Sequence, residues 1–155
     1  MPEFDLVMKF PAMHVGVRTE GDLISEICFL PRSVALQEPR NALSRRAMKQ
    51  FKSYLKNPRL RFKLPHAERG TAFQRRVWGV IEAIPSGRTL TYGQVAKQLR
   101  TGPRPVGQAC GANWFPLVIP CHRVLGSGNI GGFGNHGEGF HLEIKRWLLE
   151  HEKAI

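Results

Sequence analysis

The sequence predicts an α/β protein of two small parts: an antiparallel sheet with a helix over residues 1–70, then a helical part over 71–155. Three observations carry this. Two β-rich runs, around 14–17 and 23–30, flank the turn-forming cluster Thr19-Glu20-Gly21-Asp22. Residues 57–70 are polar, basic and proline-containing with no apolar period, and they read as a linker. Beyond them, apolar residues recur at helical spacing.

Each element has a local cause. The β-rich runs form a hairpin over 15–30. A helix is expected over 44–57, where Ala47, Met48, Phe51, Tyr54 and Leu55 fall at helical spacing and Pro58 stops the run. Arg45, Arg46, Lys49, Lys52 and Lys56 interleave with them, as on a core-packing helix with a solvated basic back. The second part opens on a capping box, Thr71-Ala72-Phe73-Gln74, ahead of Phe73, Val77, Trp78, Val80 and Ile81. Pro85-Ser86-Gly87-Arg88 makes a turn. Thr91 is an N-cap for a helix over 92–99, with Tyr92, Val95, Ala96 and Leu99 on one side. Thr101-Gly102-Pro103 breaks it, and a further helix fits 105–112, with proline at its first position. Two short helices around a glycine-containing turn form a helix-turn-helix pattern, the second being the recognition helix. Leu117-Val118-Ile119 reads as a short buried strand, and 130–139 as a loop with five glycines. The last helix runs from Phe140 to about Glu152 and buries Phe140, Ile144, Trp147 and Leu148.

Composition narrows the function classes. Apolar residues at 42% and charged residues at 23% describe a globular chain. No apolar run approaches a membrane span, and the N-terminus has no signal-peptide pattern, so neither a membrane nor a secreted protein is expected. The formal charge is +11 and unevenly placed. From Arg40 to Arg104 there are sixteen Lys or Arg against two acids, Glu68 and Glu82, whereas the rest holds seven basic and ten acidic residues. One-sided charge of this kind is the footprint of a polyanion binder, or else a solvated face that serves solubility.

Three cysteines, Cys28, Cys110 and Cys121, are too few for a disulfide framework, and no CxxC or HExxH spacing suggests zinc. Cys121 follows Pro120 and precedes His122 and Arg123. A nucleophilic cysteine works as its thiolate, which a nearby imidazole and positive charge favour. Adjacent side chains seldom face each other, so His122 would reach the thiol through a water. A carboxylate behind the imidazole would orient it, and Glu150 and Glu152 on the last helix are the candidates. The competing reading is a buried structural cysteine after a strand. Cys110 reads as a core or helix-face residue, Cys28 as a strand-core residue, and His14, His66, His136, His141 and His151 as surface or loop residues.

The run from Arg104 to Val124, RPVGQACGANWFPLVIPCHRV, resembles the active-site region of the O6-alkylguanine-DNA alkyltransferases, with the hallmark pentapeptide at 120–124. Asn113 and Arg104 stand at that family's spacings. Upstream, Thr91-Tyr92-Gly93-Gln94-Val95-Ala96 is similar to its first helix-turn-helix segment. Downstream, Lys145-Arg146-Trp147-Leu148-Leu149-Glu150-His151-Glu152 is similar to its C-terminal signature. The resemblance covers about 71–152.

The resemblance implies a ribonuclease-H-like N-terminal domain over 1–70 and a winged-helix-like alkyltransferase domain over 71–155. It implies direct-reversal repair of duplex DNA, in which Cys121 takes the alkyl group from a flipped-out O6-alkylguanine, once and irreversibly, with O4-alkylthymine a further candidate substrate. His122 is then the general base through water, and Glu152 holds it. Tyr92 donates a hydrogen bond to the leaving guanine, Asn113 ties the recognition helix to the active-site turn, and Lys145 joins the catalytic set. Arg104 fills the gap in the stack, with Tyr92, Gly107, Gln108, Gly111 and Arg123 also on the DNA side, in the minor groove. No cofactor and no metal is implied, because the second N-terminal cysteine of zinc-bearing members is missing. The implied protein is a monomer of the cytoplasm, or of the nucleus in a eukaryote.

Three departures from the family pattern bear on the alkyl pocket: Trp114 where proline is usual, Pro105 where a small residue is usual, and Phe133 where tyrosine is common. Rival readings are an alkyltransferase-like protein that binds alkylated bases without repairing them, a winged-helix regulator, and a thiol hydrolase. The first usually replaces the cysteine that is present here. The second leaves PCHRV unexplained. The third needs an oxyanion hole that nothing in the sequence indicates.

Overall fold

A computed structural model describes residues 3–131 and 139–155. The described residues form a mixed α/β chain with five α-helices and two small sheets. They divide into two compact units, Met1–Glu68 with Trp114–Val118, and Arg69–Asn113 with Ile119–Ile155. The Phe133 departure, and with it His136 and Glu138, lies outside the described residues.

In the first unit, β1 (Leu6–Lys9), β2 (His14–Glu20) and β3 (Leu23–Leu30) form one antiparallel sheet in sequence order. The expected hairpin pairs Val15 with Phe29 and Val17 with Ile27, and its register shifts between Arg18 and Thr19. β1 is an addition. Four residues are too few for alternation to stand out, but Leu6 and Val7 are buried, and Asp5 secures the entry by accepting from the Thr19 amide and hydroxyl at 2.7 and 2.9 Å. His14 is a correction to the surface reading: it is a buried strand residue with Nδ1 2.9 Å from the Val34 carbonyl.

Helix α1 (Ala42–Lys56) starts two residues earlier than expected, because Asn41 caps it by a reciprocal box with Ser44. Ser44, Ala47, Phe51 and Tyr54 make its buried face, which packs on β1 and β2. Residues 57–68 are not a free linker. Phe62 packs edge-on to Phe51 and against Tyr54, Leu64 is buried, and Ile24 exchanges two 2.8 Å backbone bonds with Pro65 and Ala67. Phe62 and Leu64 point in while Arg61 and Lys63 point out, a period-two pattern too short to stand out between the prolines. Trp114 and Phe115 join this unit through Ile27 N–H donating to Trp114 O at 2.9 Å and a 4.4 Å ring contact between His66 and Phe115.

In the second unit, α2 (Ala72–Glu82) begins at the expected capping box and buries Val77, Trp78 and Ile81. The Pro85–Arg88 turn closes with a 3.1 Å backbone bond, and Gly87 at φ 86° supplies the left-handed step. β4 (Leu90–Thr91) leads into α3 (Tyr92–Leu99), capped by Thr91 as expected. α4 (Pro103–Gly111) starts two residues early: Pro103 and Pro105 both sit in the first turn, where a missing N–H costs nothing. α2, α3 and α4 pack on one another, and Trp78 Nε1–H donates to Ala109 O at 2.8 Å.

The expected strand at 117–119 is a turn instead. Leu117 has φ 77°, which no strand accepts, although Leu117 and Ile119 are buried as the apolar run required. The short strand after the cysteine, β5 (Val124–Leu125), pairs parallel with β4. α5 (Phe140–His151) buries Ile144, Lys145, Leu148 and Leu149. Phe140 and Trp147, expected inside, are half-buried, and Trp147 stacks on His151 at 4.8 Å. No helix among the described residues is long and apolar enough to cross a membrane.

Candidate active site

Cys121 opens a one-turn 3-10 helix, Cys121–Arg123. Two backbone bonds shape that turn: Cys121 N–H donates to Ile119 O at 2.8 Å, and Arg123 N–H to Pro120 O at 2.9 Å. Just beyond the end of α4, Asn113 spans the approach. Its Nδ2 donates to Ile119 O at 2.8 Å and to Cys121 Sγ at 3.3 Å. One amide with two donors thus ties the helix end to the turn and touches the thiol itself.

Cys121 is buried, and its thiol is pushed well above the usual cysteine range. The neighbouring Cys110 thiol, hydrogen-bonded to it, is the largest cause, and burial is the next; Asn113 and the Lys145 ammonium pull the other way. The contact with Cys110 was missed in the sequence. Cys110 and Asn113 are three residues apart at the helix end, the spacing that puts two side chains on one side, and that was the available signal.

Behind the turn lies a buried ion cluster. His122 Nε2 is 2.9 Å from Glu152 Oε2, and both side chains are essentially fully buried. Arg123 Nε and Nη2 donate to the two oxygens of the same carboxylate at 2.9 and 3.0 Å, while Nη1 donates to Ile84 O at 2.7 Å. Burial opposes ionisation of Glu152, but the His122 and Arg123 hydrogen bonds and charges win and hold it at about 2. An ionised carboxylate only accepts, so Nε2 carries the hydrogen. Burial depresses His122 below its usual value, against the pull of Glu152. The neutral imidazole then offers Nδ1 as an acceptor, and Nδ1 is buried with no partner among the described residues.

Arg123, expected on the DNA side, is buried with its guanidinium committed to Glu152 and Ile84. Its role is to anchor the carboxylate that holds His122. Glu150 is exposed and Glu152, at the end of α5, is buried, so the structure separates the two candidates. Lys145 lies fully buried, with Nζ donating to Val124 O at 2.7 Å and lying 5.6 Å over the Tyr92 ring. Burial lowers it to about 8, against the thiols of Cys110 and Cys121, which favour its charge. Tyr92, half-buried at the start of α3, is held protonated chiefly by burial.

Arg104, Gly107, Gln108 and Gly111 fall at i, i+3, i+4 and i+7 on α4, opposite the buried Val106, Ala109 and Cys110. Arg104 and Gln108 are exposed. A Cβ at Gly107 would meet nothing within 4 Å, so internal packing does not require glycine there. Trp114 is exposed.

Residues 72–154 match the family model for the DNA-binding domain of 6-O-methylguanine DNA methyltransferase. The chain belongs to the 6-O-methylguanine DNA methyltransferase family. A methylated-DNA–protein-cysteine methyltransferase of Shigella flexneri is 46% identical over 92 residues, 57% of this chain and 51% of that protein. One from Mycobacterium bovis is 39% identical over 111 residues, 70% of this chain and 64% of that protein. The chain spans about half the length of the first curated relatives it matches. Among solved structures, the O6-methylguanine methyltransferase of Mycobacterium tuberculosis superposes with a TM-score of 0.80 at 29% identity, covering 96% of this chain and 91% of that one. The same mycobacterial protein in complex with DNA superposes equally well, covering 96% and 92%. In this family member, then, the matched region starts at α2 and contains every residue of the site described above.

Proposed function

We propose that this protein repairs duplex DNA carrying O6-alkylguanine by moving the alkyl group irreversibly onto Cys121. The observation that carries the reading is the buried line from the Glu152 carboxylate through His122 to the turn that presents Cys121, within a family domain of that chemistry. Burial and Cys110 keep Cys121 as a thiol, so attack needs a base that takes the proton as the bond forms. His122 Nδ1 is that base, acting through one water, with Glu152 stabilising the imidazolium. The Sγ–C bond forms as the C–O6 bond breaks. Tyr92 hydrogen-bonds the departing guanine, which ends with the proton the thiol lost. The thioether is stable, so each molecule acts once, and O4-alkylthymine fits the same displacement. Lys145 steadies negative charge on sulfur, and Asn113 positions it.

The target atom is unreachable within a stacked duplex, so the nucleotide is flipped out. Arg104, at the first turn of α4, fills the gap it leaves. Gly107 and Gly111 let the α4 backbone approach the minor groove, and Gln108 contacts it beside them. In this reading the second unit is a winged-helix-like domain and the first is ribonuclease-H-like. The protein acts as a monomer without a cofactor, in the cytoplasm or in the nucleus of a eukaryotic cell.

The test is mass spectrometry of the protein mixed with duplex carrying one O6-methylguanine. A gain of roughly 14 Da on the peptide holding Cys121 is expected. Measurable duplex binding with a reduced thiol and no adduct overturns the transfer reading in favour of damage sensing.

A further inference from the structure

We propose that the outward face of α1 is a second contact surface for the phosphate backbone of duplex DNA, carried by the first unit and separate from the α4 face. At 100° per residue, Arg45, Arg46, Lys49, Lys52 and Lys56 all lie within about 60° of Lys49. All five are exposed, on the side opposite Ala47, Phe51 and Tyr54. The stripe runs about 16 Å, enough to face about three successive phosphates along the backbone of one strand.

A second row of charge is built alongside. Residue 63 is tied to the edge of α1 by Gln50, whose Oε1 accepts from Lys63 N at 2.8 Å and whose Nε2 donates to Lys63 O at 3.0 Å; Arg46 Nη2 donates to the same carbonyl. Phe62 is turned in against Phe51 and Tyr54, which leaves Arg61 and Lys63 turned out and exposed.

Inside the fold the stripe gains only the Arg46 bond to Lys63 O and the favourable place of Lys56 in the last turn. Four like-charge pairs stand at i,i+3 or i,i+4, and each costs a few tenths of a kcal/mol. No acid occurs between Glu38 and Glu68 to offset them. A helix back that only serves solubility mixes both signs. A stripe of one sign is relieved by a polyanion from outside. A membrane surface fits less well, because a membrane-bound helix inserts its apolar face, and the centre of that of α1, Ala47, Phe51 and Tyr54, is buried in the core. The choice of DNA as the polyanion rests on the reading above.

The test compares wild type with the R45Q/K49Q/K52Q/K56Q variant, which leaves the Arg46 bond intact and puts good helix formers at exposed sites. Affinity for a short undamaged duplex is followed by fluorescence anisotropy over a salt series. Each lost phosphate contact flattens the log–log slope by about 0.9, so loss of about three contacts lowers it by about 3, with the two proteins converging at high salt. A drop smaller than about 1 overturns the proposal. So does an unchanged slope with loss of binding to phosphatidylserine vesicles, which assigns the face to a membrane. Thermal melts and transfer from free O6-benzylguanine verify that the variant is folded and its site intact. Wild-type binding with the expected slope change but no alkyl transfer refutes the repair reading and leaves this surface standing; normal transfer with no slope change does the reverse.

Discussion

Glu152 Oε2 lies 2.9 Å from His122 Nε2, and the same carboxylate takes two hydrogen bonds from Arg123. One buried anion therefore does two jobs. It sets the imidazole tautomer, and it neutralises a guanidinium that is largely buried.

The first job predicts a kinetic effect. Glu152→Gln keeps the shape but removes the charge that stabilises a protonated His122. Alkylation of Cys121 by modified duplex slows by about 10-fold or more, while duplex affinity is unchanged because the group faces away from phosphate. Single-turnover transfer and anisotropy measure the two separately. A wild-type rate in the variant ends the orienting role.

The second job predicts acid sensitivity. Glu152 is held at about 2 in the fold, below its ordinary value of 4.5. A depressed carboxylate stabilises the fold fully above its unfolded value and loses that contribution as pH falls through 4.5 toward 2. His122 is depressed too, so the fold resists its protonation and loses stability as pH drops below 6.5. Wild-type stability in urea therefore falls in two stages below pH 6.5. Glu152→Gln is weaker at pH 7, by about 3 kcal/mol, since it unpairs a buried Arg123, and lacks the decline between 4.5 and 2. A parallel decline in both proteins refutes the assignment.

Arg104→Ala separates extrusion from chemistry. Only the duplex must be opened, and unstacking a nucleotide costs a few kcal/mol, with roughly 1.4 kcal/mol worth a factor of ten. Repair of duplex falls by about 10-fold or more, whereas transfer from free O6-benzylguanine is unaffected. Equal losses on both substrates contradict the gap-filling role.

Gly107 opposes stability to binding. Gly107→Ala has open space for its methyl and removes a helix-interior glycine, so the fold gains about 0.5–1 kcal/mol. Gly107→Leu starts from the same open Cβ position and a near-equal helix propensity but holds DNA off the α4 backbone. Duplex affinity therefore drops from Ala to Leu while melting temperature does not. Unchanged affinity in Leu places the DNA elsewhere.

Local chemistry made much of the fold legible. The capping box at Thr71, the N-cap at Thr91, helical spacing after each, and the turn at Gly87 are all encoded within a few residues. Elements that depend on distant partners were not. β1 and β5 are too short to show a period and exist because β2 and β4 pair with them. The apolar run at 117–119 was read correctly as buried but wrongly as extended, since burial fixes hydrophobicity and leaves φ to the chain's path.

The sequence by itself determined the family and singled out Cys121 with its imidazole neighbour, because the PCHRV run and its surroundings are contiguous. Only the tertiary structure decided what lies behind them. It chose Glu152 over Glu150, turned Arg123 inward onto that carboxylate, and brought Cys110 and Lys145 beside the thiol. Each of these depends on which face of an element is buried and on partners brought together from 11 to 30 residues apart. Burial then sets the proton affinities, and no linear spacing reports a dielectric environment.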